Sequence, residues 1–357
     1  MRETGCLGKM LVTFIVAALL VVSNAIAAPS AQMTELEKKL YEGAKKEGEI
    51  IWWDTGSLRD SVDFLKAFYA RYPGIKVTFY EINAVNTDAK YFMEHKAGRN
   101  PADVLHIDGY RKFKNEGLLL SMADIIKDTG YPAAFTNKEF DAIGIEHNVK
   151  GVAYNSKLVA KNDVPHSWED LLHPRWEGKI AMDYQLKLFA YQDDTWGEEK
   201  IIAYLHKMRK QNPMFSAGVT KTMTLLGAGE FLVATDSSLG VILKGKEDGL
   251  PVAWAPIGPV VSQFNPHVLI RDAPHPNGAK LFLRWLMTAE GLSLVDKVRQ
   301  KGSPLPGAGT AQSKALEQTG VKLLVAPIEE GDILSVQKRL QEAIGYSKGK
   351  LKYQDKK

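Results

Sequence analysis

The sequence predicts an α/β protein, because apolar strand patterns alternate with amphipathic helix patterns along most of the chain. The clearest unit begins with a strand at Glu49 to Asp54, continues through a polar loop and a helix, and returns in a strand at Ile75 to Tyr80. A strand–helix–strand unit normally belongs to a parallel sheet covered by helices. The length of 357 residues is consistent with two domains of about 150 residues each.

The helix that precedes this unit is predicted by its ends and by its spacing. Thr34 and Glu37 have the spacing of a capping box, and Leu36, Leu40 and Ala44 lie on one helical face. Gly48 follows the last periodic residue and ends the helix.

The helix inside the unit follows the polar loop Thr55-Gly56-Ser57 and ends before Pro73. Apolar residues at helical spacing form its predicted buried face: Val62, Leu65, Phe68, Tyr69 and Tyr72.

Four later segments also read as strands that end in short polar clusters. They are residues 102–108, 178–183, 230–236 and 251–256. In open α/β sheets the ligand binds beyond the carboxyl ends of the strands. We therefore expect the binding residues in these clusters.

The N-terminus has the pattern of a secretory signal peptide. Arg2 and Lys9 are basic, Met10 to Val22 is an apolar run, and Ala25-Ile26-Ala27 is a small-x-small cleavage site. The run is shorter than the ~20 residues that a membrane anchor needs. We therefore expect cleavage after Ala27 and a soluble mature protein in the bacterial periplasm.

Cysteine and charge content exclude several classes of site. Cys6 is the only cysteine and would leave with the signal peptide, so the mature chain has no disulfide and no thiolate metal site. Removal of Arg2, Glu3 and Lys9 lowers the formal charge from +4 to +3. Basic residues are concentrated only in Ser347 to Lys357, which we interpret as a solvated tail rather than a nucleic-acid surface.

A strand motif and a helix motif in the middle of the chain carry a family resemblance. Gly151 to Asn155 has the form G-x-x-Y-N, Pro165 to Leu171 the form P-x-S-W-x-D-L, and Trp176 to Ile180 the form W-x-G-K-I. Ser167 is placed to cap a helix whose first turn is acidic, with Trp168 and Trp176 as apolar anchors. Here the chain resembles the family-one extracellular solute-binding proteins of bacterial ABC importers.

Further segments extend the resemblance over nearly all of the mature chain. They are Ala102 to Leu105, Gly249 to Val252, Ala255 to Gly258 and Ala273 to Ala279. The resemblance implies a periplasmic-binding-protein type II fold: two lobes, each a mostly parallel sheet flanked by helices, joined by crossing strands near Glu146 to Tyr154 and Val260 to Ile270. It divides the chain into a signal peptide (1–27), a first lobe (28–147 plus about 264–300), a second lobe (148–263 plus about 301–346) and a basic tail (347–357).

The implied function is the periplasmic substrate-binding component of an ABC importer. A monomer without enzymatic activity or cofactor would capture a small polar solute, such as a carboxylate or phosphonate anion, between the lobes. It would deliver that solute to an inner-membrane permease and its ATPase. Nucleic acid is not an expected partner.

The candidate ligand-binding residues follow the predicted strands or lie on a crossing strand. They are Asp54, Thr55, Gly56, Ser57, His106, Asp108, Tyr154, Asp183, Tyr184, Asp236, Ser237 and Ser238. The loop Thr55 to Ser57 precedes a helix and offers backbone N–H groups and hydroxyls to a small anion. The same hydroxyls are also suited to capping that helix.

Acidic residues at the strand ends leave a cation as an alternative ligand. The candidate metal ligands are His106, Asp108, Asp183, Tyr184 and Asp236. Some ferric-ion receptors of the superfamily use two adjacent tyrosines, and this chain has no Tyr-Tyr pair. Trp52, Trp53, Trp196 or Trp254 beside a carboxylate would suit an organic cation such as a polyamine or thiamine. A periplasmic enzyme on the same scaffold is the alternative of another class.

Overall fold

The computed structural model describes residues 32–216, 218–264, 266–328, 333–347 and 350–351. Two large mixed sheets, flanked by helices, form the body of the protein. In these described ranges no helix is long and apolar enough to cross a membrane. The predicted signal peptide and Cys6 lie outside the described residues.

The elements alternate as the sequence predicts. Up to the first passage between the sheets they are α1 (Glu35–Glu47), β1 (Glu49–Asp54), α2 (Leu58–Arg71), β2 (Lys76–Glu81), α3 (Ala84–Lys96), β3 (Val104–His106), α4 (Tyr110–Asn115), β4 (Leu119–Leu120) and α5 (Ala123–Thr129). The middle part contains β5 (Asn148–Asn155), β6 (Ile180–Asp183), α6 (Lys187–Ala190), α7 (Asp193–Trp196), α8 (Glu198–Lys210), β7 (Met214–Ser216), α9 (Val219–Ala228), β8 (Val233–Ser238), α10 (Leu239–Glu247), β9 (Val252–Ala255) and β10 (Val260–Gln263). The last part contains β11 (His267–Ile270), α11 (Pro276–Leu286), α12 (Ala289–Arg299), α13 (Ala311–Thr319), β12 (Leu323–Val325), α14 (Ile333–Ala343), β13 (Tyr346–Ser347) and β14 (Lys350–Leu351).

The first sheet has the strand order β2-β1-β3-β11-β4. Strands β2, β1 and β3 are parallel, and β11 runs antiparallel to both of its neighbours. Because side chains alternate across a strand, Trp52 and Trp53 of β1 point to opposite faces. Trp52 packs against Phe64 of α2 and Phe282 of α11, whereas Trp53 belongs to a separate core cluster with Phe113 of α4.

The second sheet has the order β12-β10-β5-β8-β6-β7, with β9 paired beside β10 on the same edge of β5. Its outer strands form parallel pairs, and β5 runs antiparallel to β8, β9 and β10. Trp168 and Trp176, the two predicted anchors, are each 3% exposed in its main core cluster. The predicted α/β class with two helix-flanked sheets is confirmed. The sheets are mixed rather than mostly parallel, because β11 in the first sheet and β5 in the second run antiparallel to their neighbours.

The chain passes between the two sheets before β5 and again between β10 and β11, where the crossing strands were predicted. A third passage follows α12, which packs on α2 of the first sheet, and leads to α13, which packs on α10 of the second. Buried Gln312 joins the first and third passages. Its Nε2 donates to the carbonyls of His147 (3.0 Å) and Gly302 (2.8 Å). The numbered lobe boundaries remain a prediction.

The predictions for helix caps and for the buried face of α2 were confirmed only in part. Thr34 caps α1 as expected. Phe68 and Tyr72 are buried as predicted, but Val62 and Tyr69 are exposed. Phe64, which was not predicted, joins the buried face because its ring packs on Trp52. The segment after Ser167 is a short 3-10 helix, although Ser167 Oγ still accepts from the Asp170 N–H at 3.1 Å.

The predicted basic tail contains more regular structure than expected. Tyr346 and Ser347 pair with Lys350 and Leu351 in a small antiparallel hairpin. Residues 348–349 and 352–357 lie outside the described part.

A close contact joins the start of α10 to the end of α12. A Cβ placed on Gly240 would lie 1.9 Å from the carbonyl oxygen of Gln300. Gln300 itself caps α12 with φ +52°. Only glycine fits at position 240 without movement of one element or the other.

We expect Gly240→Ala to destabilise the protein by about 1–3 kcal/mol, because overpacking against a backbone carbonyl forces the helices apart. Thermal unfolding followed by circular dichroism measures the effect. Gly227→Ala in α9 is the matched control, since its Cβ meets nothing closer than 3.7 Å. Equal melting temperatures for the two variants would contradict the packing argument.

Candidate functional site

A cavity of about 330 Å³ lies where elements of both sheets end. Its lining comes from the residue after β1, the end of β3, the passages between the sheets, the loop after β6 and the start of α6: Thr55, His106, Glu146, Asn148, Lys150, Gln185, Lys187, Gln263, Phe264 and Lys301. It is therefore at the place where the carboxyl-end rule for α/β sheets puts a ligand.

The two crossing strands supply one wall of the cavity. Asn148 and Lys150 lie two residues apart on β5 and so share a face of the strand. Gln263 of β10 is the pairing partner of Asn148. Phe264 follows Gln263 and covers Gly144, where an added Cβ would lie 2.3 Å from its ring.

Three lysines bring positive charge to the cavity. Lys150 lies 3.2 Å from a carboxylate oxygen of Asp236, and Lys301 lies 2.7 Å from one of Glu146. Lys187 has no carboxylate within 4.0 Å in the part of the chain that the structure describes. The side chain of Lys187 is half-buried. Burial lowers the pKa of Lys301, and the nearby Arg299 charge lowers it further.

Arg299 lies beneath the cavity and joins three segments. Its Nη1 pairs with Asp54 of β1 at 2.8 Å and also with Glu146, which precedes β5. The guanidinium carbon lies 5.7 Å from the Trp52 ring and 5.0 Å from the Phe64 ring, within cation–π range. A Cβ on Gly56 would lie 2.1 Å from Nη2, so the loop after β1 needs glycine there.

Two stacked histidines complete this buried layer. His106 and His267 have ring centroids 4.3 Å apart, and they approach Asp54 Oδ2 at 3.3 and 3.1 Å. Burial, followed by the charge of His267, lowers the pKa of His106 to about 4. Burial alone would raise the pKa of Asp54, but Arg299 and the two histidines hold it well below its usual range. Asp54 is therefore a charged, fully paired group.

The same layer has the donor set of a metal site. One ligand atom each of Asp54, His106, Glu146 and His267 lies within 4.8 Å of the others, and all four residues are buried. Carboxylate and imidazole ligands suit borderline metals. The Arg299 guanidinium, however, already pairs with both carboxylates.

Sequence comparison identifies the family. Residues 55–292 match the bacterial extracellular solute-binding protein family. This chain belongs to that family. The resemblance carried by the central motifs is thus confirmed, whereas no curated protein matches the chain significantly.

Solved structures share the fold of this solute-binding protein. The Trichodesmium protein IdiA (FutA), in complex with iron and citrate, has a TM-score of 0.68 and 18% identity over 84% of this chain and 100% of that one. Iron-bound HitA of Pseudomonas aeruginosa has a TM-score of 0.64 and 18% identity, over 82% of this chain and 99% of HitA. AfuA of Actinobacillus pleuropneumoniae, with fructose-6-phosphate bound, has a TM-score of 0.62 and 21% identity, over 83% of this chain and 97% of AfuA. At these identities the likeness concerns the fold alone.

In this solute-binding protein, the candidate ligand-binding residues of the first sheet lie in the cavity lining or directly beneath it, except Ser57 and Asp108. Thr55 and His106 line it and lie 3.1 Å apart, Thr55 Oγ1 to His106 Nδ1. Gly56 N–H donates to Asp54 Oδ1 at 2.7 Å, beneath the lining. Ser57 instead caps α2 by accepting from the Asp60 N–H. Asp108 follows β3 outside the lining, and its N–H donates to Asp88 at 3.4 Å.

Most second-sheet candidates make internal contacts. Asp236, with φ +57°, pairs with Lys150 and accepts from the Leu188 N–H, and Asp183 accepts from the Gln185 N–H at 2.8 Å. Burial and the neighbouring Asp236 raise the pKa of Asp183. Ser237 donates to the Ala234 carbonyl.

The remaining candidates lie outside the cavity lining. Ser238 precedes α10 without a side-chain cap. Tyr154 packs, partly buried, on the second core. Tyr184 stacks on Tyr346 with ring centroids 4.9 Å apart, and its carbonyl accepts from Gln341. Of the five candidate metal ligands, only His106 belongs to the four-residue donor cluster.

Sequence reasoning missed the cations of the site. Lys187 lies three residues beyond the Tyr184 cluster, so a longer window after β6 would have included it. Lys150 directly precedes the Gly151 motif and was passed over as a strand residue. Arg299 and Lys301 gave no usable signal, because basic residues at a helix end are ordinarily explained by the helix dipole.

We expect Arg299→Met to lower the free energy of unfolding by about 3–5 kcal/mol, because it leaves Asp54 buried without its cation and leaves Glu146 with Lys301 alone. Urea unfolding measures the loss. Arg339→Met removes an arginine whose pair with Glu198 is exposed, and should cost no more than about 1 kcal/mol. A similar small loss in both variants would show that the buried pairing is not stabilising.

We expect stability to fall as the pH falls from about 6.5 towards 4. Burial lowers the pKa of His147 to about 3, and that of His106 to about 4, so the unfolded chain takes up protons there that the folded chain does not. At pH 5 each histidine would contribute a loss of about 2 kcal/mol relative to neutral pH. Urea unfolding at pH 7.5 and 5.0 tests this. His106→Gln should show a smaller difference between the two pH values, and an unchanged difference would contradict the assignment.

Proposed function

We propose that this solute-binding protein captures a small anion in the lysine-lined cavity and delivers it to an ABC permease in the inner membrane. The observation that carries the proposal is the convergence of Lys150, Lys187 and Lys301 on one cavity to which both sheets contribute. Ammonium groups with neighbouring amide donors suit carboxylate, phosphonate or phosphate oxygens.

The carboxylates near the cavity are already paired, and this favours an anionic rather than a cationic ligand. Asp54 and Glu146 are paired with Arg299, and Asp236 with Lys150. Lys187 is the lining cation without such a partner among the described residues. A ligand anion at Lys187 would complete the charge pairing of this wall.

A metal ion is the second candidate ligand, because of the cluster of Asp54, His106, Glu146 and His267. HitA and FutA are iron-bound in their solved structures. In this chain a metal ion would have to displace the Arg299 guanidinium from both carboxylates. The anion therefore remains the better supported ligand. An organic cation has less support, since Trp52 and Trp53 are buried in the core.

A receptor is also better supported than an enzyme. Thr55, His106 and Asp54 lie together, as in a hydroxyl–imidazole–carboxylate relay, but Thr55 and Asp54 both approach the same nitrogen, His106 Nδ1. A nucleophile–base relay needs the hydroxyl and the carboxylate on opposite ring nitrogens. The site thus has the groups of a binding pocket without the arrangement for nucleophilic catalysis.

Export and delivery follow from family and sequence together. We propose that the signal peptide is cleaved after Ala27 and that the mature protein acts as a monomer in the periplasm. Closure of the lobes around the ligand would present the loaded form to the permease, because contacts to both sides stabilise only the closed state.

We expect Lys187→Gln to weaken anion binding by about one to two decades, since a hydrogen bond to a charged group is lost. Isothermal titration of mature protein with malate, glycerol 3-phosphate and inorganic phosphate measures the affinities, and native mass spectrometry identifies any retained ligand. Lys207→Gln, an exposed change of the same charge on α8, is the control.

Unchanged affinity in Lys187→Gln for every anion that the wild type binds would refute the lysine-lined site. A retained mass of iron that persists in the Lys187→Gln variant would favour the metal cluster instead.

A further inference from the structure

Two amide side chains in the cavity wall have polar atoms without hydrogen-bond partners. Asn148 Oδ1 and Gln263 Nε2 are both buried, and neither has a partner in the described part of the chain. Both residues line the cavity, and Gln263 is 9% exposed. Unpartnered buried polar atoms are rare in native proteins, so these two require an explanation.

The two side chains form one unit. Asn148 and Gln263 are paired across the antiparallel strands β5 and β10, so their side chains emerge side by side. Lys150 lies on the same face of β5, two residues further along. An amide pair and an ammonium group are therefore presented by the same surface of the crossing strands.

The chemistry of the pair selects among anions. A carboxylate or phosphate oxygen only accepts hydrogen bonds, so it cannot satisfy the acceptor Oδ1 of Asn148. A hydroxyl group donates one hydrogen bond and accepts others, and it satisfies Asn148 and Gln263 together. The match persists if both amides are rotated by 180°, because the pair then still presents one donor and one acceptor.

We propose that Asn148 and Gln263 bind a hydroxyl group of the solute, and that the solute is a hydroxylated organic anion. The anionic group pairs with Lys187 or Lys150 while the hydroxyl lies against the amides. A cavity of about 330 Å³ is in the range that holds small organic ligands, about 300–1,000 Å³. This proposal rests on the anion-binding function proposed above and specifies its ligand class.

Matched ligands that differ by hydroxyl groups alone test the proposal on the wild-type protein. Malate is compared with succinate, and glycerol 3-phosphate with propyl phosphate, by isothermal titration; the two pairs separate hydroxycarboxylates from phosphate esters. We expect the hydroxylated member of at least one pair to bind about tenfold tighter or more, because its loss leaves the amides unpaired. Equal affinities within both pairs, whether measurable or undetectable, overturn the proposal.

Variants then locate the preference. Gln263→Leu and Asn148→Leu remove the hydrogen bonds at similar volume, and each should bring the two members of the preferred pair within about threefold of each other. Gln318→Leu on the exposed face of α13 is the matched control and should keep the wild-type preference. A preference retained in both cavity variants overturns the assignment to these amides.

The two proposals fail in different ways. If wild type binds succinate and malate equally, and Lys187→Gln weakens both, the anion site stands and the amide assignment falls. If Lys187→Gln leaves every affinity unchanged, the anion site itself falls. Circular dichroism of each variant confirms that it is folded before the affinities are compared.

Discussion

The ion pairing of Arg299 with Asp54 and Glu146 is the interaction on which the rest of the site depends. It joins the end of α12, the end of β1 and the first passage between the sheets, three segments far apart in sequence. Removing such groups from water is costly, and their mutual pairing offsets part of that cost. The pairing also accounts for the glycine at position 56 and contributes to the low pKa of Asp54. The site is built on a buried, nearly neutral layer.

Above that layer the cavity lining carries positive charge on Lys150, Lys187 and Lys301. Most acidic side chains that the sequence suggested as ligands form ion pairs or hydrogen bonds within the protein. The lysines, in contrast, lie at the cavity lining. Lys150 and Lys301 have one carboxylate partner each, while Lys187 has none within 4.0 Å among the described residues. In the proposed function these charges would orient a polar solute without reorganisation during binding, which would lower the entropic cost of binding.

The fold was largely predictable, whereas the site was predictable only in part. Caps, apolar periodicity and the central motifs are local signals, and they located α1, β1 and β5 closely. The carboxyl-end rule selected Thr55 and His106, which line the cavity, since it needs only strand positions. For Ser57 the sequence left ligand binding and helix capping open because both use the same hydroxyl geometry, and in the structure Ser57 caps α2. Arg299, Lys301 and Gln263 reach the cavity through the packing of distant segments, and no local pattern encodes that packing.

The stacking of Tyr346 on Tyr184 has a practical consequence for anyone who handles this protein. It joins the hairpin of β13 and β14 to the segment after β6, which carries Gln185 and leads into Lys187 of α6, so the hairpin supports one wall of the cavity. We expect a purification tag or fluorescent reporter fused after the hairpin to disturb this stacking and with it that wall of the cavity. Fusion ahead of α1, which packs on α11 beside the first sheet, would leave the stacking undisturbed. The terminus chosen for a fusion therefore affects the affinity that a binding experiment measures.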